Sequence, residues 1–176
     1  MAPMVGNLSY GAVGLTCPDD EAWSEYPKGY RRHAVTTMIG HGRRCWDAAA
    51  LAVLDWQVKT RSGFTVEPVI GDRRVRANAE YRLTAHLGPI TVREPVRVVT
   101  VVERPTRCGF AYGTLDGHPV SGEEAFVVHR NPAGEVWLTL RSLTRASRGR
   151  WRWTFPALLL AQQYYRRRYQ TALRTT

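Results

Sequence analysis

The stretch 64–143 constrains this chain most, because almost every segment in it is built of strand-type residues and turn residues divide the segments at short intervals. The runs 64–70, 74–87, 90–103, 107–114, 124–130 and 136–144 are separated by Gly71-Asp72, Gly88-Pro89, Arg104-Pro105, Asp116-Gly117 and Asn131-Pro-Ala-Gly134. Glycine and proline at such spacing reverse the chain within a few residues, which predicts an antiparallel meander. In 74–82, Val75, Ala77, Ala79 and Tyr81 alternate with Arg74, Arg76, Asn78, Glu80 and Arg82. One face of the sheet is therefore expected to be wet or ligand-facing.

Flanking segments complete the order of elements. Residues 30–39 alternate weakly and predict a first strand, ended by Gly40-His-Gly42. From 43 to 59, Trp46, Ala49, Ala50, Val53, Leu54 and then Trp56 or Gln57 recur at helical spacing, which predicts an amphipathic helix lying against the sheet. At the C-terminal end, Pro156 suits a first helical turn, and Phe155, Leu158, Leu159, Gln162, Tyr165, Tyr169 and Leu173 follow one face while Arg167 and Arg168 fall on another. Between these, 148–153 is a basic aromatic run expected to form a solvated loop with its tryptophans tucked inward. Residues 10–27 are irregular yet carry Trp23 and Tyr26, so they are expected to drape over the domain. At 176 residues and 44% hydrophobic, 1–176 reads as one domain with an irregular segment over 1–28.

The chemistry is expected in 110–126, where His118, Glu123 and Glu124 sit between two strand-like runs punctuated by Gly113, Gly117, Pro119 and Gly122. A histidine titrates near neutrality and transfers protons in either direction. Neighbouring residues of a strand face opposite ways, so one of Glu123 and Glu124 faces inward. The plain alternative is structural: a histidine beside a glycine turn bonds the backbone, and a glutamate caps backbone amides. Tyr112 and Tyr10 are placed as hydrogen-bond donors to a substrate carbonyl. His41, at the start of the first helix beside Gly42, is a second candidate, since free amides at a helix N-terminus favour an anion.

Several blocks together resemble the DUF1990 (UPF0548) family of uncharacterised bacterial and plant proteins. They are Asn7-Leu-Ser-Tyr-Gly-Ala-Val-Gly14, Gly29-Tyr30, Ile39-Gly-His-Gly42 leading into Trp46 and Trp56, Tyr112-Gly-Thr-Leu-Asp-Gly-His-Pro119 and Gly122-Glu-Glu124. The resemblance runs from about Tyr10 to the terminal helix. Its implication for activity is slight, because the family is one of unknown function. Together with the order of elements it leads to an expected α+β fold of the helix-grip, SRPBCC or START-like kind, an antiparallel curved sheet wrapping a long C-terminal helix. Such a fold hosts carriers, receptors and cyclases alike, so fold does not choose among them. A cavity between sheet and helix would be walled by Trp46, Trp56, Tyr112, Trp137, Phe155, Tyr165 and Tyr169, or these would simply pack the core.

The net charge of +10 is unevenly placed, since no acidic residue follows Glu135. Such a surface attracts anions, among them an acidic carrier protein or a phosphorylated or carboxylated ligand. Nucleic acid is not expected, because no helix-turn-helix, zinc-finger, RRM or KH signature accompanies the charge. Only Lys28 and Lys59 among the 25 basic residues are lysines. Cys17, Cys45 and Cys108 are scattered and lack metal-ligand spacing, so no metal is expected, and no nucleotide or flavin motif calls for a cofactor. With no signal-like or membrane-spanning run, the expected location is cytoplasmic. The leading functional expectation is a cofactor-independent domain that binds a hydrophobic, lipid-like or polyketide-like small molecule. It would catalyse cyclisation, isomerisation or dehydration with His118 as general acid or base and Glu123 or Glu124 as its partner. The rival is a carrier or sensor without catalysis.

Overall fold

Each glycine- or proline-bearing turn between 64 and 135 closes a hairpin, and the result is one antiparallel sheet. The computed structural model describes residues 6–147 and 151–174, with backbone alone at 87 and 151–159. Strand β1 (Arg31–His41) leads into helix α1 (Gly42–Leu54) and a short α2 (Gln57–Thr60). Then come β2 (Phe64–Pro68), β3 (Glu80–Leu87), β4 (Ile90–Arg104), β5 (Arg107–Thr114), β6 (Val120–Arg130), β7 (Glu135–Ala146) and helix α3 (Trp151–Thr171). The strands stand in the order β1-β7-β6-β5-β4-β3-β2, so the meander is sequential and β1 closes beside β7.

Four expectations need correction. The helix expected over 43–59 is broken at Trp56, whose backbone is left-handed at φ 61°. Its indole is fully buried, with ring centroids 4.8 Å from Tyr81, 4.6 Å from Phe110 and 5.4 Å from Tyr112. A bulky residue holds that conformation only where its surroundings over-determine it, and here packing supplies the constraint. The strand expected from 74 begins at Glu80 instead, because the Val75 amide donates to Leu54 O at the end of α1 and Asn78 is left-handed at φ 63°. Strand β6 begins at Val120, before Glu124, because the chain from Val120 onward already pairs with β7. Helix α3 starts at Trp151, so Pro156 lies in its second turn and Trp151 to Trp153 are helical backbone, while 148–150 lie outside the described residues. A proline there removes one amide donor without preventing the helix from starting earlier.

Both faces of the central strands are covered. On the inner face Phe110, Tyr112, Phe126, Val128 and Leu138 receive α1 and the Tyr165, Tyr169 and Leu173 side of α3. The outer face is roofed by the N-terminal segment, which is why β5 is buried at every position and the expected wet face is confined to the flanking strands. Two buried arginines fasten that roof through backbone carbonyls. Arg107 donates to Pro18 O and Asp20 O at 2.7 Å each, and Arg141 donates to the carbonyls of Thr16, Cys17, Asp20 and Glu21. The draped placement expected of 10–27 is the one observed.

Candidate functional site

The register of β5 and β6 places Tyr112 opposite Glu124 and Gly113 opposite Glu123, so the two glutamates leave the sheet on opposite sides. On the inner side the Glu124 carboxylate accepts a short hydrogen bond from the Tyr112 hydroxyl and lies 3.0 Å from Lys59 Nζ. Lys59, brought in by α2, is only 3% exposed and donates to the Tyr169 hydroxyl at 2.7 Å. Its ammonium also stands 4.3 Å from the Phe64 ring centroid and 4.7 Å from that of Tyr169. A buried ammonium survives only where a carboxylate, hydroxyls and aromatic faces replace water, and all three are present. Burial opposes ionisation of Glu124, but Lys59 and the Tyr112 hydrogen bond outweigh it and hold the carboxyl below its ordinary range.

Beside this cluster, the five-residue connection from β5 to β6 carries His118, which is 4% exposed. The Val120 amide donates to its Nδ1 at 3.1 Å, so the neutral ring carries its proton on Nε2. That nitrogen faces Glu94 Oε2 of β4 at 3.7 Å. Burial, reinforced by the Lys59 charge, pushes His118 down to about 3. Burial pushes Glu94 up to about 7, with Lys59 opposing and Glu124 adding to the rise. The pair therefore consists of a neutral imidazole N–H aimed at a carboxyl poised to gain or lose a proton near neutral pH.

These groups line one cavity of about 70 Å³ between the sheet and α3, bordered on the helix side by Tyr165, Arg166 and Tyr169. At ~30 Å³ per water this holds about two waters. Of the residues expected from the sequence, the structure brings together Tyr112, His118, Glu124, Tyr165 and Tyr169. Of the others whose side chains are described, Glu123 borders the cavity but turns its carboxylate to the opposite side of the sheet, and Tyr10, His41, Trp46, Trp56 and Trp137 lie elsewhere. The Glu123 carboxylate accepts from the Tyr10 hydroxyl and the Gly14 amide at 2.7 Å each, from the Thr16 amide at 3.1 Å and from the Thr16 hydroxyl. Tyr10 and Glu123 thus face the roof and serve each other, because the period of the strand turns Glu123 away from Glu124. Gly113 is where a glycine is needed: a Cβ there would stand 2.2 Å from the Tyr10 hydroxyl. His41 is exposed and bonded to Ala133 O at 2.8 Å, while the Gly42 amide donates to Gly134 O, so that helix start is already occupied by the β6–β7 turn. Trp46 and Trp56 pack in the core, and Trp137 is half-buried opposite His129 and Met38, none of them at the cavity. The Phe155 side chain lies outside the described residues.

Sequence reasoning missed Lys59, Glu94, Phe64 and Arg166. Lys59 had a signal, being one of two lysines in a chain that otherwise uses arginine. Glu94 had none, since a lone glutamate in a strand is ordinarily solvated. Among the described residues no group of His, Cys, Asp and Glu is arranged to hold a metal, and no helix is long and apolar enough to cross a membrane.

Comparison with known proteins agrees with the fold and adds no activity. The model of a domain of unknown function, DUF1990, matches residues 9–172. A UPF0548 protein of Deinococcus radiodurans is 32% identical over 164 residues, covering 81% of this chain and 75% of its own. One from Arabidopsis thaliana is 24% identical over 145 residues, covering 79% and 69%. Among solved structures, ginseng major latex-like protein 151 from Panax ginseng superposes with a TM-score of 0.52 at 10% identity, covering 81% of this chain and 96% of that one. Ara h 8.0201 superposes with a TM-score of 0.50 at 9% identity, covering 81% and 96%. At such identities the likeness concerns the fold alone, which is of the helix-grip kind.

Proposed function

The chain belongs to the DUF1990 family, and we propose that it binds an apolar small molecule between the sheet and α3 and moves a proton on it without a cofactor. One observation carries this reading: Lys59, Glu94, His118 and Glu124, from four separate parts of the fold, converge on one cavity. Gathering two buried ionisable side chains, Lys59 and His118, and two largely covered ones, Glu94 and Glu124, costs stability that an apolar core would not, so a merely structural cavity has no use for them. In the proposed step Glu94 takes a proton from carbon or oxygen of the ligand, or returns it, and the His118 Nε2–H, 3.7 Å away, is the donor that would close on Glu94 and hold it in place. Lys59 and Tyr169 stand where an oxyanion would need donors, with Glu124 and Tyr112 fixing the ammonium. This assigns Glu94 the acid-base role that the sequence suggested for His118. Cyclisation, isomerisation and dehydration all need such a transfer and little else.

A cavity of about 70 Å³ is far below the ~300–1,000 Å³ of pockets for drug-sized ligands. The ligand would therefore enter by parting Tyr165 and Tyr169 from the sheet. Native mass spectrometry of the protein exposed to a small-molecule extract of its host distinguishes the readings. Wild type is expected to release a mass different from the one trapped by Glu94→Gln. The same unaltered mass from both would make the protein a carrier, and no retained mass on either would sink the binding reading.

A further inference from the structure

A second hollow of about 400 Å³ opens where β1, the end of β7 and α3 meet, lined by Arg31, Arg32, His33, Thr144, Gln163, Arg166, Arg167 and Gln170. Every charged side chain around it is cationic, as the absence of acidic residues after Glu135 requires for two of its three walls. Arg32 is turned aside, donating to Trp23 O at 2.7 Å and lying over the Trp23 ring. Among the described residues, Arg166 donates to the Ser142 hydroxyl at 2.9 Å. Among the described residues no carboxylate lies within ion-pair distance of Arg31, Arg166 or Arg167.

This hollow adjoins the buried chamber, because Thr144 and Arg166 line both. The seam between them holds unused hydrogen-bonding atoms. Thr144 Oγ1 and His33 Nε2 are buried and have no hydrogen-bond partner among the described residues, and Thr144 is only 6% exposed. The register explains their meeting: Arg31 stands opposite Thr144 and His33 opposite Ser142 across β1 and β7. Buried polar atoms in folded proteins are normally satisfied, so two orphans facing a cationic hollow mark where an acceptor-rich group belongs. Guanidinium groups without carboxylates suit a phosphate or carboxylate, which they grip with paired N–H donors.

We propose that the ligand is amphiphilic, with an anionic end, phosphate or carboxylate, held by Arg31, Arg166, Arg167 and the Thr144 hydroxyl while its apolar end passes the seam into the chamber. The inference rests on the chamber being a ligand site and specifies the ligand's class. It also supplies binding energy away from the reacting end, which positions that end without crowding a small chamber.

Calorimetric titration with octyl phosphate, octan-1-ol and inorganic phosphate tests it, using the wild type and the Arg31→Ala/Arg167→Ala double variant. Both arginines are exposed, so the variant is expected to fold. The expected result is octyl phosphate binding at least about tenfold tighter than octanol to the wild type. The variant should lose that preference and keep its affinity for octanol. Equal affinity of the wild type for octyl phosphate and octanol would overturn the anionic end and leave the chamber reading intact. Inorganic phosphate binding as tightly as octyl phosphate would show a site for a free anion and overturn the amphiphile. Binding of none of the three would remove the chamber reading and this inference with it.

Discussion

Glu123 and Glu124 are the same residue, adjacent in one strand, the first buried and the second partly so, yet their surroundings have nothing in common. Glu123 meets four neutral donors, all from Tyr10, Gly14 and Thr16 of the roof. Glu124 meets a buried ammonium and one phenol beside a cavity. A carboxylate satisfied by backbone amides and hydroxyls of one segment is a fastener, because its full hydrogen-bonding capacity ties two parts of the chain together. A carboxylate balanced against a single buried cation leaves capacity open toward the space beside it. From the same face of the sheet Arg107 and Arg141 also staple the roof, donating to backbone carbonyls of the irregular segment.

The comparison breaks most visibly at Lys59. Lys59→Met is expected to lower stability by about 3–4 kcal/mol, because it leaves the largely covered Glu124 carboxylate without its cation. Thermal melting reads this directly, and Glu124→Gln in the same background should recover most of the loss. A Lys59→Met protein melting like wild type would mean that Glu124 is no more dependent on its partner than an exposed carboxylate.

Glu123→Ala is expected to cost less, about 2–3 kcal/mol, since the freed donors of the roof can turn to water once the segment lifts. Its distinguishing sign is proteolysis within 10–27, with octyl phosphate affinity unchanged. Resistance to protease would show that Arg107 and Arg141 hold the roof without Glu123.

The smallest effect separates the chamber by pH. Folded Glu94 binds its proton up to about 7 against an ordinary value of 4.5, so the stability it contributes is complete below 4.5 and is lost as pH rises through 7. Glu94→Gln should therefore raise the melting temperature at pH 8.5 by a few degrees, about 1 kcal/mol, and leave it unchanged at pH 4. His118 acts in the opposite sense, its stabilisation being lost as pH falls from 6.5 toward about 3. An equal change at both pH values would show that Glu94 is not the group titrating near neutrality.

Much of the fold was legible in the chain. Strands 90–103 and 107–114 match β4 and β5 within a residue, because alternation and turn residues act locally. The break at Trp56 was not legible, since a tryptophan in a helical pattern gives no sign that three distant aromatic rings will hold it left-handed. Residues Tyr112, His118 and Glu124 were legible as a group because they lie on one hairpin, whereas Tyr10, expected to donate to a substrate, bonds Glu123, and the helix start beside His41, expected to favour an anion, is taken by the β6–β7 turn.

By itself the sequence determined the antiparallel meander, the two-sided placement of Glu123 and Glu124 and the positive charge of the last third, because periodicity, turn chemistry and composition depend on near neighbours alone. Only the tertiary structure decided which glutamate faces the cavity, that Lys59 answers it across 65 residues of chain (124 − 59), and that Glu94 lies beside His118. Ionisable groups acquire their character from what surrounds them in space, and burial and pairing across strands are not written at any one position.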